Sequence, residues 1–257
     1  MISRILTIAR NTFREAVRDR VLYNLVLFVL LITASAIFLG ELTAGQEART
    51  IVNLGLSAML IFGAFISIFV GVSLVSKEIE RRTIYAIFSK PIGRGEFIVG
   101  KYLGLCLTLL VNVLIMGIGV SLALLAVGGG SLAFSIWGAI FLIYLELAIL
   151  TAVAILFSSF SSPALSALLT FFIFVIANFS QSLREFAANL GSTFTKFFFD
   201  ALYYVLPNLS FFSFAANAAH GDKPPMAMIG GAILYAFAYI LVLLVITVVI
   251  FSRRNFK

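Results

Sequence analysis

Three places in the 257-residue chain carry residue types that could do chemistry. The first is Gly95-Glu-Phe-Ile-Val-Gly100-Lys101-Tyr102, which fits the first seven positions of a phosphate-binding P-loop. Such a loop cradles phosphates on backbone N–H groups and needs a Ser or Thr hydroxyl after the lysine to ligate Mg²⁺. Tyr102 stands there instead, and Glu96 with bulky Phe97, Ile98 and Val99 makes a poor cradle for an anion. No nucleotide site is expected, so any ATP chemistry has to come from another chain. The second place is Glu146, the one acidic residue deep in an apolar stretch. A charge at that depth costs roughly 2.5–3.5 kcal/mol on insertion scales, so the carboxyl must face a cavity, carry a proton or find a partner. Asn112 and Asn178 are the candidate partners, and a role in a transport pathway or in coupling stays open beside a structural interhelical hydrogen bond. The third is His220 with Met226 and Met228, soft ligands of the kind that hold Cu(I). A lone His beside Gly221-Asp222 reads as a solvated loop residue, and methionines at the start of an apolar run are ordinary packing material, so no metal site is expected. Cys106 is the single cysteine, excludes an intrachain disulfide, and reads as an inert packing residue. With no ligand-spaced cluster and no plausible Ser–His pairing, the chain is not read as an enzyme.

The elements that would position these residues are set by composition. The chain is 62% hydrophobic and 11% charged, against about 45–50% and 25% in soluble domains. A mean hydropathy of +1.13 and 27 Phe leave no water-facing surface on which to put the apolar residues, so a soluble enzyme and a disordered chain are both excluded. The reading is an all-α membrane protein, a single transmembrane domain over 1–257. A spanning helix needs about 20 mainly apolar residues, and six stretches qualify, at 21–40, 51–75, 102–127, 132–157, 163–180 and 226–251. Polar or small-residue punctuation separates them, including Gly128-Gly-Gly-Ser131 and Ser158-Ser-Phe-Ser-Ser-Pro163. Gly100 and Gly104, with Gly117, Gly119, Gly230 and Gly231, are expected to let helices approach closely.

The net charge of +7 would suggest nucleic acid in a soluble protein, but here it orients the chain in a bilayer and no nucleic-acid partner is expected. With both termini on one side, that side receives 14 of the 18 basic residues. The positive-inside rule makes it the cytoplasm, in a multi-pass protein of the cell membrane (inner or plasma membrane) with both termini cytoplasmic.

Outside the spans, residues 1–20 put Ile2, Ile5, Leu6, Ala9, Phe13, Ala16 and Val17 on one helical face and Arg4, Asn11, Arg14, Glu15 and Arg18 elsewhere. This predicts an amphipathic helix lying in the interface, where anionic headgroups favour the arginines. The 76–101 loop alternates Lys77, Arg81, Arg82, Lys90, Arg94 and Lys101 with Glu78, Glu80 and Glu96, around Tyr85, Ile87 and Phe88. An aromatic and aliphatic centre with a charged rim is the anatomy of a protein interface. Packing of the same side chains back onto the membrane surface is the plainer alternative. A short helix through Phe88 is expected, ended by Pro91, Gly93 and Gly95. The outer segment 181–225 repeats apolar residues at helical spacing up to Val205, after which Pro207-Asn208 breaks it and an irregular loop runs to Pro224-Pro225.

The cytoplasmic loop resembles that of the permease subunits of ABC-2 type transporters, in the branch with six spans and no fused nucleotide-binding domain. Glu78-x-Glu80-x-x-Thr83, Ser89-Lys-Pro91-x-x-Arg94-x-x-Phe97 and Gly100-Lys101-x-x-Gly104 are similar to the family's run of acid, Thr, Pro, Arg and a closing Gly-Lys. Arg18-x-Arg20, the turn Ser158 to Ser162 and Leu206-Pro207-Asn208 are similar too, and the general look is that of permeases associated with multi-copper enzyme maturation. Arg82 departs from the pattern, standing where many relatives place Gly. The resemblance implies two permease copies, homo- or heterodimeric, each docking a cytoplasmic ABC ATPase subunit through this loop, with ATP and Mg²⁺ bound there and no cofactor on this chain. It implies Glu78, Glu80, Arg81, Arg82, Tyr85 and Phe88 as contacts beside Thr83, and Pro91, Arg94 and Lys101 as shaping the return to the membrane. The expectation is an ATP-driven exporter. A proton-coupled secondary transporter using Glu146, and a membrane scaffold that recruits an ATPase without transport, are the alternatives.

Overall fold

The computed structural model describes residues 2–18, 27–28, 31–32, 46–80, 93–180, 200, 203 and 206–253. All regular structure among them is helical. Helix α1 is Ile2–Arg18, α2 is Glu47–Glu80, α3 is Arg94–Ala126, α4 is Gly130–Ser135, α5 is Trp137–Ser158 and α6 is Pro163–Asn178. A 3₁₀ turn at Leu209–Phe212 and the short α7 at Ala215–Ala219 lead to α8, Met226–Arg253. Among the described residues, four helical stretches are long and apolar enough to cross a bilayer: Glu47–Ser73, Arg94–Ala126, Gly130–Ser158 and Met226–Arg253. Helix α6, expected as a full span over 163–180, is a 16-residue apolar helix, about 24 Å long against a hydrocarbon core of about 30 Å. Of the first expected span, only Leu27, Phe28, Leu31 and Ile32 lie within the described residues, all helical, with Phe28 edge-on to Phe62 of α2.

Helices α2 and α3 are longer than the spans expected from hydropathy. At 34 and 33 residues, each is about 50 Å long and outruns the hydrocarbon core. The short helix through Phe88 that Pro91, Gly93 and Gly95 were expected to end lies outside the described residues; Gly93 is extended at the N-cap of α3 and Gly95 lies inside α3. Glu96 supports this start by accepting a hydrogen bond from the Gly93 N–H at 3.1 Å. The P-loop-like residues Gly95 to Tyr102 therefore sit on a continuous α-helix. At the other end, Gly128 takes a left-handed φ of 81°, and the N–H groups of Gly128 and Gly129 return to the carbonyls of Leu125 and Leu124. This is a Schellman close, which needs a residue without a Cβ penalty. Ser162 precedes α6 in an extended conformation with Pro163 at the first helical turn, where a missing N–H is harmless.

Helix α5 is the centre of the bundle and packs against α2, α3, α6 and α8. Small residues bring the helices together. A Cβ at Gly63 of α2 would overlap Leu147 Cδ1, and one at Gly71 would lie 3.1 Å from the Cβ of Ala154. Between these contacts the Ser67 hydroxyl donates to the Leu147 carbonyl at 3.3 Å, a polar stitch between α2 and α5. Gly117 meets Ile140 of α5 as a close-packing glycine, whereas nothing among the described residues lies within 4 Å of a Cβ placed at Gly230. The stretch after Pro207-Asn208, expected as irregular, folds into the 3₁₀ turn and α7, and buries Leu209 and Phe212 against α5, α6 and α8.

Candidate functional site

The charged residues of the membrane-return segment meet two other elements where α3 begins. Arg94 Nη1 donates to the carbonyls of Phe251, at 3.1 Å, and Ser252. These carbonyls lie in the last described turn of α8, where a cation complements the helix dipole. One turn on, Phe97 stacks on Phe251 with ring centroids 5.9 Å apart. Both rings are buried in a cluster that also takes in Ala16 of α1 and Ala152 of α5.

Helix α1 docks along the same stretch of α3. A Cβ at Gly100 would lie 2.7 Å from Ile8 Cβ, and one at Gly104 would lie 2.6 Å from both the Ala9 carbonyl oxygen and Thr12 Cβ. Only glycine admits such an approach, because the obstruction at Gly104 includes backbone. The docked face is Ile5, Ile8, Ala9, Thr12 and Ala16, turned from the face expected from sequence: Thr12 is buried and Leu6 is 63% exposed. Lys101, 4% exposed, pairs with the half-exposed Glu15 at 3.5 Å and holds its ammonium 5.9 Å from the Phe97 ring centroid. Glu96 lies 4.0 Å from Arg4. Arg94, Glu96 and Lys101 thus bind the start of α3 to the end of α8 and to both halves of α1. Sequence reading marked Arg94 and Lys101 as shaping residues, but Glu15, Phe97 and Phe251 as their counterparts had no local signal.

Glu78 and Glu80 fall on the last turn of α2, where the backbone alone is described. Arg81, Arg82, Thr83, Tyr85, Phe88 and Pro91 lie outside the described residues.

Deeper in the bundle, Glu146 is 1% exposed on α5. Asn178, at the end of α6, donates its Nδ2 to Glu146 Oε1 at 2.9 Å and to the Phe174 carbonyl at 3.2 Å. Asn112 bonds within its own helix, from Nδ2 to the Thr108 carbonyl at 2.7 Å, and its buried Oδ1 has no hydrogen-bond partner among the described residues. Of the two candidate asparagines, Asn178 is the one bonded to Glu146.

A family model described as "ABC-2 family transporter protein" matches residues 6–256. The chain belongs to that family. It is a membrane-spanning permease of the ABC transporter type. It is also 29% identical over 124 residues to a protein named "Probable ABC transporter permease protein NosY" from Pseudomonas aeruginosa (strain ATCC 15692 and its synonyms). That similarity covers 47% of this chain and 45% of the relative, so the chain matches a little under half the relative's length. The junction of α1, α3 and α8 begins just after residues 81–92 in the chain, within the stretch that sequence reading marked as the ATPase contact.

Proposed function

We propose that this chain is the membrane subunit of an ATP-driven exporter, coupled to a separate ABC ATPase through residues 76–101. In this reading the chain crosses the bilayer six times, with 21–40 and 163–180 completing the four long helices, and both termini are cytoplasmic. Two permease copies pair, each with its ATPase, and ATP and Mg²⁺ are bound by the partner.

The observation that carries the reading is the junction at Arg94, Glu96 and Lys101. A displacement applied to residues 81–92 reaches α3 at its first turn, and α3 is there bonded to α1 and to the end of α8. A rigid-body transition needs such a handle, one whose attachment spreads over several helices. Glu78, Glu80, Arg81, Arg82, Tyr85 and Phe88 supply the contact, and Thr83 and Pro91 its local shape.

The test separates contact from transmission. The full chain is co-expressed with a candidate ATPase and extracted in mild detergent. Arg81→Glu with Arg82→Glu is expected to abolish co-purification, and an unchanged complex rejects the docking assignment. Arg94→Ala is expected to keep the complex but to lower the ATP hydrolysis that the permease confers on it, after reconstitution in bilayer discs.

A further inference from the structure

Helix α6 ends before the bilayer does. In the six-span reading it begins at Pro163 on the inner side and reaches Asn178 about 22 Å on, short of a hydrocarbon core of about 30 Å. At its end the chain folds back on the bundle as Leu206-Pro207-Asn208 and the 3₁₀ turn, which packs against α5 and α6. Non-helical backbone at membrane depth is tolerated only where protein encloses it or water lines it. Here protein encloses it. Leu209 and Phe212, both fully buried, share a cluster with Leu142 and Ile149 of α5, Ala177 of α6 and Ala236 of α8. The polar attachment of the segment converges on one residue. Asn208 donates its N–H to Tyr235 Oη of α8 at 2.8 Å and its Nδ2 to Tyr203 Oη at 3.2 Å. Its Oδ1 accepts from Ser180, just past α6, at 3.3 Å and from Ser210 at 2.6 Å. Two residues before Ser180, Asn178 holds Glu146. Leu142, Glu146 and Ile149 are spaced i, i+4 and i+7 along α5 and so share one face. The Glu146–Asn178 bond is therefore flanked on both helices by residues that the folded-back segment covers.

We propose that residues 206–212 are a removable plug latched by Asn208, and that its withdrawal opens the Glu146–Asn178 pair to water from the side opposite the termini. The seat of the plug on α6 and α8 is made of the small residues Ala177, Ala232 and Ala236, which present no side chain that interlocks with it. Its polar bonds meet at a single side chain, so the segment is released as a unit. Once it lifts, water takes over the bonds that Ser180, Tyr203 and Tyr235 make to Asn208, and the backbone is satisfied by water instead of protein. Two satisfied arrangements of one segment make a bistable element of the kind that conformational transitions use. The plug rests on the orientation given in the exporter reading but needs neither its ATPase nor its direction of transport. The measurement below uses no ATPase, so failure of the plug leaves that reading in place.

The experiment uses the full chain carrying Cys106→Ala and Ala177→Cys, so that the one thiol sits beside Asn178 under the plug. It is reconstituted in sealed vesicles of one orientation, fixed by protease cleavage of a C-terminal tag. A membrane-impermeant cationic thiosulfonate is added on the side opposite the termini. Where opening is fast relative to labelling, the rate follows the population of the open form. Labelling is expected to be slow in this background and about tenfold faster with Asn208→Ala, which removes three of the four bonds. Tyr235→Phe removes only the hydroxyl that accepts the Asn208 N–H and should quicken labelling about threefold. Ala148→Cys in place of Ala177→Cys is the control, because Ala148 is buried on another face of α5 in the cluster with Tyr102, and it should stay unlabelled in every variant. Unchanged rates in both variants overturn the plug. So does equal labelling at Ala148→Cys, which means that the whole bundle has loosened, or labelling from the side of the termini alone. If Asn208→Ala does not fold, Tyr235→Phe is read by the same outcomes.

Discussion

Helices α5 and α8 are both strongly apolar and both long enough to cross a bilayer, yet α5 is almost wholly enclosed by protein while α8 turns most of its surface outward. Hydropathy does not distinguish them, because lipid tails are as apolar as the side chains of a neighbouring helix. Small and polar residues mark the packed sides. Helix α5 carries Ala148, Ala152 and Ala154 with Thr151 and Glu146 on its buried surface, and the glycines of α2 fit against it. Helix α8 presents Leu234, Phe237, Leu241, Val242 and Val245 outward and keeps Ala232, Ala236, Leu243, Thr247 and Phe251 for its packed side. On α8 the outward face is made of large residues and small or polar ones collect on the packed side, whereas α5 buries large aliphatics such as Leu142, Leu147 and Leu150 beside its small and polar residues.

The comparison is broken most directly by enlarging a small residue on each helix. Ala154→Leu on α5 drives a branched side chain toward Gly71, whose hypothetical Cβ already lies 3.1 Å from that of Ala154. We expect a loss of about 3 kcal/mol, the upper end of ordinary overpacking, seen as a lowered unfolding midpoint in detergent. Ala236→Leu on α8 also meets a packed surface, formed with Leu209 and Phe212, but one side of this helix is open and can yield. About 1–2 kcal/mol is expected there. A cost at Ala236 equal to that at Ala154 would show that α8 is as tightly enclosed as α5.

Glu146 sharpens the comparison in another way, because it places a carboxyl on the most enclosed helix. Glu146→Gln keeps an oxygen able to accept from Asn178, so stability should change by no more than about 0.6 kcal/mol, the average measured for interhelical hydrogen bonds in a membrane protein. Transport or ATP hydrolysis in the reconstituted complex then separates a pathway role from a link between α5 and α6. Undiminished activity at equal protein level leaves the link as its whole role.

Much of this organisation was legible in the sequence, for reasons that are local. Twenty apolar residues require a helix wherever they meet lipid, and Gly100-x-x-x-Gly104 announced a close approach before its partner was known. A buried carboxyl needs a donor, which put Asn178 among the two asparagines expected beside Glu146, but the sequence could not choose between it and Asn112. The start of α3 was missed because Arg94, Glu96 and Lys101 read as part of the 76–101 contact loop, and their partners on α1 and α8 are distant in sequence. The docked face of α1 was not anticipated, because its apolar residues were read as facing the membrane interface. Only the position of Gly100 and Gly104 decides that Ile8 and Thr12 face protein while Leu6 does not. The 3₁₀ turn and α7 are too short for any period to show.

The smallest expected effect lies on the outward face of α8, and it tests the rule rather than an exception to it. Leu234 is 72% exposed, higher than any other large aliphatic residue among those described apart from Met226. In water, removing such a side chain would lessen an exposed apolar patch. In a bilayer its neighbours are lipid tails that refill the vacated space, so no cavity forms and no transfer free energy is lost. Leu234→Ala should therefore shift stability by less than about 0.5 kcal/mol, the usual range for surface substitutions. A loss of 2 kcal/mol or more, as for a buried leucine, would mean that this face of α8 is covered by protein in the assembled permease. It would then belong to the contact between copies, and the helix that is least enclosed within one chain would be enclosed by two.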